Sequence, residues 1–420
     1  MNYQNKKLLI LCGNVVHVKV VNAAKEMGVY TIVTDSLPLE DAPAKAIADE
    51  ALYINVLDVD ALVEYCKENK VDGVINFCND IGQIPQQRLC ERLGLPCFGN
   101  AEQFRLLTDK LAFKDMCKKY GVDIIPEYFE EDIGNNKIEY PVLVKPGISR
   151  GSRGQSICNN KDELIEGIKK AKHESSNGKA VIEKYMGGYK DFSMSYIFKD
   201  GIAYLTRTID RYLGKEEDNL QKQCIAAVAP SKNTKFYIDN VHDRVVNALV
   251  SIGIKNGPVF MQGFIDGDTV RFYDPGLRFG GTEYESLLYE ATGINLMKEL
   301  IKLSLGGEIS TYDGKLAEAY KLDGKKAIQL LISVRGGKIA QIDGLDEISK
   351  HPNVVTVAQR YFVGEEVPQT GDVKQRICEI ALLADKDNEK RVVKEIQSKL
   401  IVKDEYGENM LVSQFDANML

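Results

Sequence analysis

Short apolar runs alternate with amphipathic stretches over the first hundred residues: LLILC, VVNAAKEMG, YTIVTD, VDALVEYCKENK, VDGVINF and PQQRLCERLG follow one another. Strand-length apolar runs separated by segments of helical period predict βαβ units and a parallel sheet. In such a sheet ligands gather beyond the carboxyl ends of the strands, here the loops CGNVV, TDSLP and CNDIGQ. Gly13 stands alone after the first run, so there is no GxGxxG fingerprint and no nicotinamide dinucleotide site is expected. The loops are left to receive a substrate.

From residue 101 the period changes. AEQFRLLTDKLAFKDMCKKYG reads as a helix pair, EEDIGNNKIE as an exposed loop and YPVLVKPG as a strand. Helix DELIEGIKKAKHE, strand AVIEKYM and the long strands DFSMSYIFKDG and IAYLTRTIDR come next, with Asp200-Gly201 turning the hairpin because both positions tolerate positive φ. Asp266-Gly267-Asp268 does the same between GPVFMQGFI and TVRFYDPG. Beyond 311, AIQLLISVRGGKIAQIDG, LDEISKHP, NVVTVAQRYF and NEKRVVKEIQSKL alternate strand and helix patterns. The expected fold class is α/β and α+β: a parallel-sheet domain over 1–108, a mixed central module over 109–310 and a small α+β domain over 311–420.

Composition narrows the function classes. With 420 residues, 44% hydrophobic and 27% charged, most of the chain can fold around several cores. Its 54 Lys and Arg against 61 Asp and Glu leave a formal charge of −7, which argues against nucleic acid or an anionic membrane as the main partner. Nine cysteines, an odd number without a CxxC pair and several inside apolar runs, read as reduced core residues of a cytoplasmic protein. Lys6 and Lys7 precede the first apolar run, but His17 and Lys19 follow it without a small-residue cleavage site, so it reads as a strand and not a signal. No apolar run approaches the ~20 residues of a membrane span. The histidines at 17, 173, 242 and 351 lack metal-ligand spacing.

Three segments carry chemistry. Lys145-Pro146-Gly147-Ile148-Ser149-Arg150-Gly151-Ser152-Arg153-Gly154 follows an apolar strand and has the makings of a phosphate cradle. Gly151 and Gly154 admit close backbone approach to an anion, Ser149 and Ser152 donate hydroxyls, and Lys145 supplies a point charge. GxxxxGK[ST] is absent, so it is not a Walker loop; a solvated Gly/Ser/Arg loop has the same composition. Thirty-eight residues past Lys145, Glu183-Lys184-Tyr185-Met186 ends a strand before Gly187-Gly188, and Asp191 opens the next. Backbone groups there suit an adenine edge, Tyr185 and Met186 its faces, and Asp191 the ribose hydroxyls; an ordinary hairpin with surface charge reads the same way. In the third segment Gln262 and Asp274, twelve apart across a turn, can share one face as oxygen ligands for Mg²⁺, with Arg278 beside them to neutralise a transferring phosphoryl group or an oxyanion.

Taken in this order, the three segments resemble the ATP-grasp superfamily over about 109 to 310. The resemblance implies ATP and Mg²⁺ (or Mn²⁺) as cofactors. It implies that Lys110 and Lys145 contact nucleotide phosphates, that the SRGSRG loop closes over them, that Glu183 to Met186 hold the adenine and that Asp191 takes the ribose. The family's metal ligands are usually Glu, then Glu-x-Asn-x-Arg; here they read Gln262, then Asp274-Pro275-Gly276-Leu277-Arg278, so the arginine is kept and two ligands are altered. The N-terminal sheet is similar to the domain preceding this module in the biotin carboxylase and carbamoyl-phosphate synthetase branch. The tail, GGKIAQIDGLDEISKHPNVV then VGEEVPQTGDVKQRI, resembles bacterial ATP-grasp L-amino acid ligases and makes Thr370 to Arg376 a candidate wall of the substrate pocket.

The implied function is ATP-dependent carboxylate–amine ligation through an acyl phosphate, with Arg278 and Lys145 catalytic, small-molecule acid and amine as partners, and a homodimer as in relatives. Arg207, Arg211, Lys222 and Glu283 are substrate candidates: the arginines lie four apart on a strand, and Glu283 with Glu285 suits either an amine or a helix N-terminus. Two other readings stay open, a phosphoribosylamine–glycine ligase-like or carbamoyl-phosphate synthetase-like enzyme, and a catalytically impaired ATP-binding protein suggested by Gln262 and Gly276.

Overall fold

The computed structural model describes residues 2–135, 137–147, 154–175, 177–220 and 223–420. The N-terminal strands Glu50–Leu52, Tyr30–Thr34, Lys7–Leu11 and Gly73–Ile75 form, in that order, one parallel sheet. Leu8 and Ile10 join one hydrophobic core while Leu9 and Leu11 join another. That two-sided burial is why the first strand reads as an unbroken apolar run, with the helices Val18–Glu26 and Val59–Asn69 as crossovers and Asp80–Leu93 following the last strand.

Two sheets build the central module. The smaller orders Glu127–Tyr128, Ala180–Lys184, Val142–Pro146 and Ser156–Cys158, covered by the helix Lys161–Glu174. The larger is an antiparallel sheet in which Thr269–Gly276, Gly257–Asp266, Lys190–Lys199, Ile202–Leu213 and Cys224–Ala229 are neighbours in that order. Both expected hairpins are present, at 200–201 and 267–268, with Asp200 and Gly201 both at positive φ.

The large sheet does not stop at residue 311. Cys224–Ala229 pairs with Lys326–Val334, which pairs with Arg376–Ala384 and then Val354–Gln359, so the C-terminal region extends the module's own sheet. The single strand expected from AIQLLISVRGGKIAQIDG breaks at Arg335-Gly336, and its second half, Gly337–Asp343, pairs instead with Ile401–Asp404 and Glu366–Val367. Arg376–Ala384 has no alternation to announce it, because it is buried along nearly its whole length. Among the described residues no helix is long and apolar enough to cross a membrane. The nine cysteines are free, and burial pushes thiols such as Cys78 up to about 12.

Candidate active site

A cavity of about 2030 Å³ opens between the two sheets of the module and reaches the N-terminal domain. Lys145 is the penultimate residue of Val142–Pro146, and its ammonium lies 2.6 Å from Glu183 of the neighbouring strand. Lys114, from the helix Lys110–Tyr120, reaches the other oxygen of Glu183 and also Glu127 at 2.8 Å. The three side chains are almost fully buried, so the group is a desolvated cation–anion–cation triad. Burial alone raises the Glu183 carboxyl, but Lys145 and Lys114 outweigh it and hold it below the ordinary range. For Lys145 burial wins over Glu183 and lowers the ammonium. Lys110 caps the same end of the cavity from the first turn of its helix.

Past Glu183 the backbone is arranged by two prolines. The Lys184 N–H donates to the Pro126 carbonyl at 2.9 Å and the Tyr185 N–H to the Pro141 carbonyl at 3.1 Å. Neither proline has an N–H to return the bond, so the carbonyls of Lys184 and Tyr185 are left without that donor at a cavity wall. Met186, nearly buried, and Tyr185 line the same wall.

On the large sheet Gln262 and Asp274 are direct cross-strand partners, which puts both side chains on one face. The Gln262 amide nitrogen donates to both oxygens of Asp191 at 3.2 Å and meets the Tyr273 hydroxyl. A carboxylate only accepts, so the amide's orientation is set by chemistry. Asp191 also binds Arg211 at 2.6 Å, and burial nevertheless leaves its carboxyl above the usual range. Asp274 is raised too, by burial and then by Asp80, against the pull of Arg278, Lys110 and Lys145.

Arg278 is held by Asp80 through Nε at 2.8 Å and Nη2 at 2.7 Å, donates Nη1 to the Phe279 carbonyl at 2.8 Å, and lies 5.0 Å from the Phe260 ring centroid. A Cβ at Gly276 would sit 2.8 Å from the Arg278 Cγ. Glycine there does more than omit a ligand: it makes room for the arginine's stem.

The cavity thus brings together Lys110, Lys145, Glu183 to Met186, Asp191, Arg211, Gln262 and Asp274. Arg278 stands at its edge through Asp80. Gly154 lies outside the lining; its φ of +70° and the 2.8 Å approach of a built Cβ to Pro146 give it a backbone role. Ser149, Gly151, Ser152 and Lys222 lie outside the described residues. Two substrate candidates fall elsewhere. Arg207 shares a strand face with Arg211 but is 2% exposed, packed over the Phe260 and Tyr284 rings, and Glu283 pairs with Lys19 at 3.3 Å. Thr370 to Arg376 do not line the cavity either: Gln375 closes that turn on itself and on the Val334 carbonyl. The C-terminal wall is Met419, whose carbonyl accepts from Lys232 at 2.5 Å and Tyr212 at 3.3 Å. Reading the sequence missed Asp80, Lys114 and the two prolines. Asp80 had a signal, since CNDIGQ ends a parallel strand; the others depend on pairings the chain does not announce.

The fold and the cavity define a nucleotide-grasping module: two sheets closing on a row of lysines, with an arginine beyond. Residues 109–312 match the family model for the carbamoyl-phosphate synthase L chain, ATP binding domain, and are an ATP-grasp domain. Over 330 residues the chain is 25% identical to biotin carboxylase 1 of Bacillus subtilis (strain 168), covering 73% of this chain and 71% of that one. The crystal structure of an L-amino acid ligase from Bacillus licheniformis superposes with a TM-score of 0.77 at 18% identity, over 96% of this chain and 99% of that one. Phosphoribosylglycinamide synthetase from Anaerococcus prevotii gives 0.76 at 18%, over 96% and 100%. The biotin carboxylase domain dimer of Hydrogenobacter thermophilus 2-oxoglutarate carboxylase, in complex with MgADP, ADP and bicarbonate, gives 0.76 at 22%, over 94% and 89%. These superpositions establish the fold.

Proposed function

We propose that the protein is a cytoplasmic ATP-dependent ligase that activates a carboxylate as an acyl phosphate and joins it to an amine, in the manner of an L-amino acid ligase. The observation that carries this reading is the meeting of Lys110, Lys145 and Arg278 around one half-buried carboxylate, Asp274, in a cavity also lined by Lys184 and Tyr185, to whose carbonyls Pro126 and Pro141 return no hydrogen bond. A donor such as the adenine amino group suits the Lys184 carbonyl, and the lysines suit the phosphates.

Asp274 and the Gln262 carbonyl, cross-strand partners on the cavity wall, fit a magnesium ion that takes most of its ligands from phosphate and water, because the pair offers few oxygen ligands of its own. When bound, the ion draws charge from the phosphoryl oxygens. The chain's residues do the rest by position. A substrate carboxylate oxygen attacks the γ-phosphorus and ADP departs; an amine nitrogen then attacks the acyl carbon, phosphate leaves, and the amine proton goes with it. Lys145 neutralises charge on the phosphoryl group, and Arg278 steadies the tetrahedral oxyanion. No acid–base residue is required beyond these. For the incoming carboxylate to reach Arg278, Asp80 must yield, and at 60% side-chain exposure it is free to swing.

The test is ADP release from Mg-ATP with pools of carboxylates and amines. The reading predicts release stimulated by one acid–amine pair, with one phosphate per amide formed. ATP bound without stimulated turnover by any pair would point to a nucleotide-binding protein that does not ligate.

A further inference from the structure

The cavity exceeds what a nucleotide needs. Cofactor-sized pockets run to roughly 300–1,000 Å³, and this one holds about 2030 Å³. One arm of the lining follows the helix Asp80–Leu93, with Asp80, Ile81, Gln83, Ile84, Pro85 and Arg88, and Gln83 is tied to Asp80 and to the Leu277 N–H. Apart from Gln83, these positions, i, i+1, i+4, i+5 and i+8, form a single helical face. Along that face the chemistry is ordered: an acid beside Arg278, an apolar middle, and a guanidinium at the far end. Leu57, 58% exposed, adds to the apolar middle.

Charge decides what such an arm can take. Arg105, which also borders it, is already held by Glu102 through two nitrogens at 2.8 Å. Asp109 caps its helix, accepting from the Leu111 and Ala112 N–H groups through Oδ1, and makes no ion pair with Arg88. Arg88 is exposed and makes no ion pair with any described residue. An uncompensated cation therefore stands at the end of an apolar strip that begins at the carboxylate-accepting arginine.

We propose that this arm binds the acid substrate, and that the acid is an extended molecule with an apolar middle and a second anionic group, which Arg88 holds. The inference rests on the ligase reading for the position of the reacting carboxyl at Arg278. Eight residues of helix separate Asp80 from Arg88, roughly 12 Å at 1.5 Å per residue, which sets the spacing of the two anionic ends.

Equilibrium titration of the full-length, Mg-ADP-loaded protein with dicarboxylates from glutarate to sebacate, beside monocarboxylates of equal length, tests this. The expected result is tightest binding among the longer diacids, about five- to tenfold stronger than their monoacid counterparts, and loss of that margin in Arg88→Ala with monoacid binding unchanged. Leu57→Ser should weaken long acids of both kinds. An ω-phosphonocarboxylate run alongside tells whether the distal group is carboxylate or phosphate. Equal binding of monoacids and diacids, an Arg88→Ala variant that keeps the diacid margin, or no binding of either series overturns the proposal. Arg88-dependent diacid binding without ADP release from any acid–amine pair would leave the arm standing and remove the ligase reading.

Discussion

Lys145 and Glu183 touch, yet replacing them has opposite expected consequences. The triad Lys114–Glu183–Lys145 carries one positive charge in excess, inside a region where all three side chains are almost fully buried. Lys145→Met removes the excess and leaves the Lys114–Glu183 pair complete, with a side chain of similar volume. Since burial lowers the Lys145 ammonium on net, its charge costs the fold more than Glu183 returns, and the variant should stay within about 1 kcal/mol of the parent or exceed it. Glu183→Gln instead strands the buried Lys145 ammonium and leaves Lys114 with Glu127 alone, and breaking such a pair costs about 3–5 kcal/mol. Nucleotide binding should rank the other way round for Lys145→Met: loss of a desolvated phosphate contact of about 2–4 kcal/mol weakens Mg-ATP binding roughly 30- to 1,000-fold. Urea denaturation without nucleotide gives the stabilities, and titration with a fluorescent ATP analogue gives the affinities. A Lys145→Met protein that loses about 3 kcal/mol or more of stability and binds Mg-ATP like the parent would make Lys145 a structural partner of Glu183 alone, with no part in holding phosphate.

Other consequences can be checked separately. His17 is fully buried, donates through Nδ1 to Asn14 at 2.8 Å, and burial lowers it to about 4; its neutral form stabilises the fold fully above its unfolded value of 6.5, and that contribution fades as pH falls toward 4. Linkage puts the loss between pH 7 and 5 at about 2 kcal/mol, so the pH slope of the urea midpoint in that window should flatten in His17→Asn. Gly276→Asn restores the ligand type usual in the family but places a Cβ 2.8 Å from the Arg278 Cγ; turnover should fall, with the Arg278–Asp80 contact displaced in a crystal structure. Gln262→Glu sets a carboxylate 3.2 Å from Asp191 in place of an amide donor. The variant should lose about 1–3 kcal/mol without metal and regain part of it with Mn²⁺, read as a metal-dependent melting temperature.

Much of this architecture was legible because local pattern and burial agree. The first strand is unbroken and apolar because both faces of its sheet are covered, and the two Asp-Gly turns sit where positive φ is needed. Gln262 and Asp274 were readable as facing residues because a tight hairpin fixes register. What was not legible depends on long-range pairing. That Arg376–Ala384 extends the module's sheet follows from its docking on Lys326–Val334, not from any period of its own. Arg207 and Arg211 share a strand face, but only Arg211 reaches the cavity, because Arg207 lies beneath Phe260 and Tyr284. The carbonyls freed by Pro126 and Pro141 belong to residues far along the chain, so no local motif could mark them.

In the proposed ligase, Lys145, Asp274 and Arg278 serve phosphoryl transfer to a carboxylate. Hydroxylamine intercepts acyl phosphates as hydroxamates, so the most direct measurement is hydroxamate and nucleotide product formed from Mg-ATP with candidate acids, in the parent and in Arg278→Gln. Hydroxamate and ADP should form in equal amounts for at least one acid, and neither in the variant. Hydroxamate accompanied by AMP and pyrophosphate would contradict phosphoryl transfer to a carboxylate, as would ADP release in which no acid yields hydroxamate.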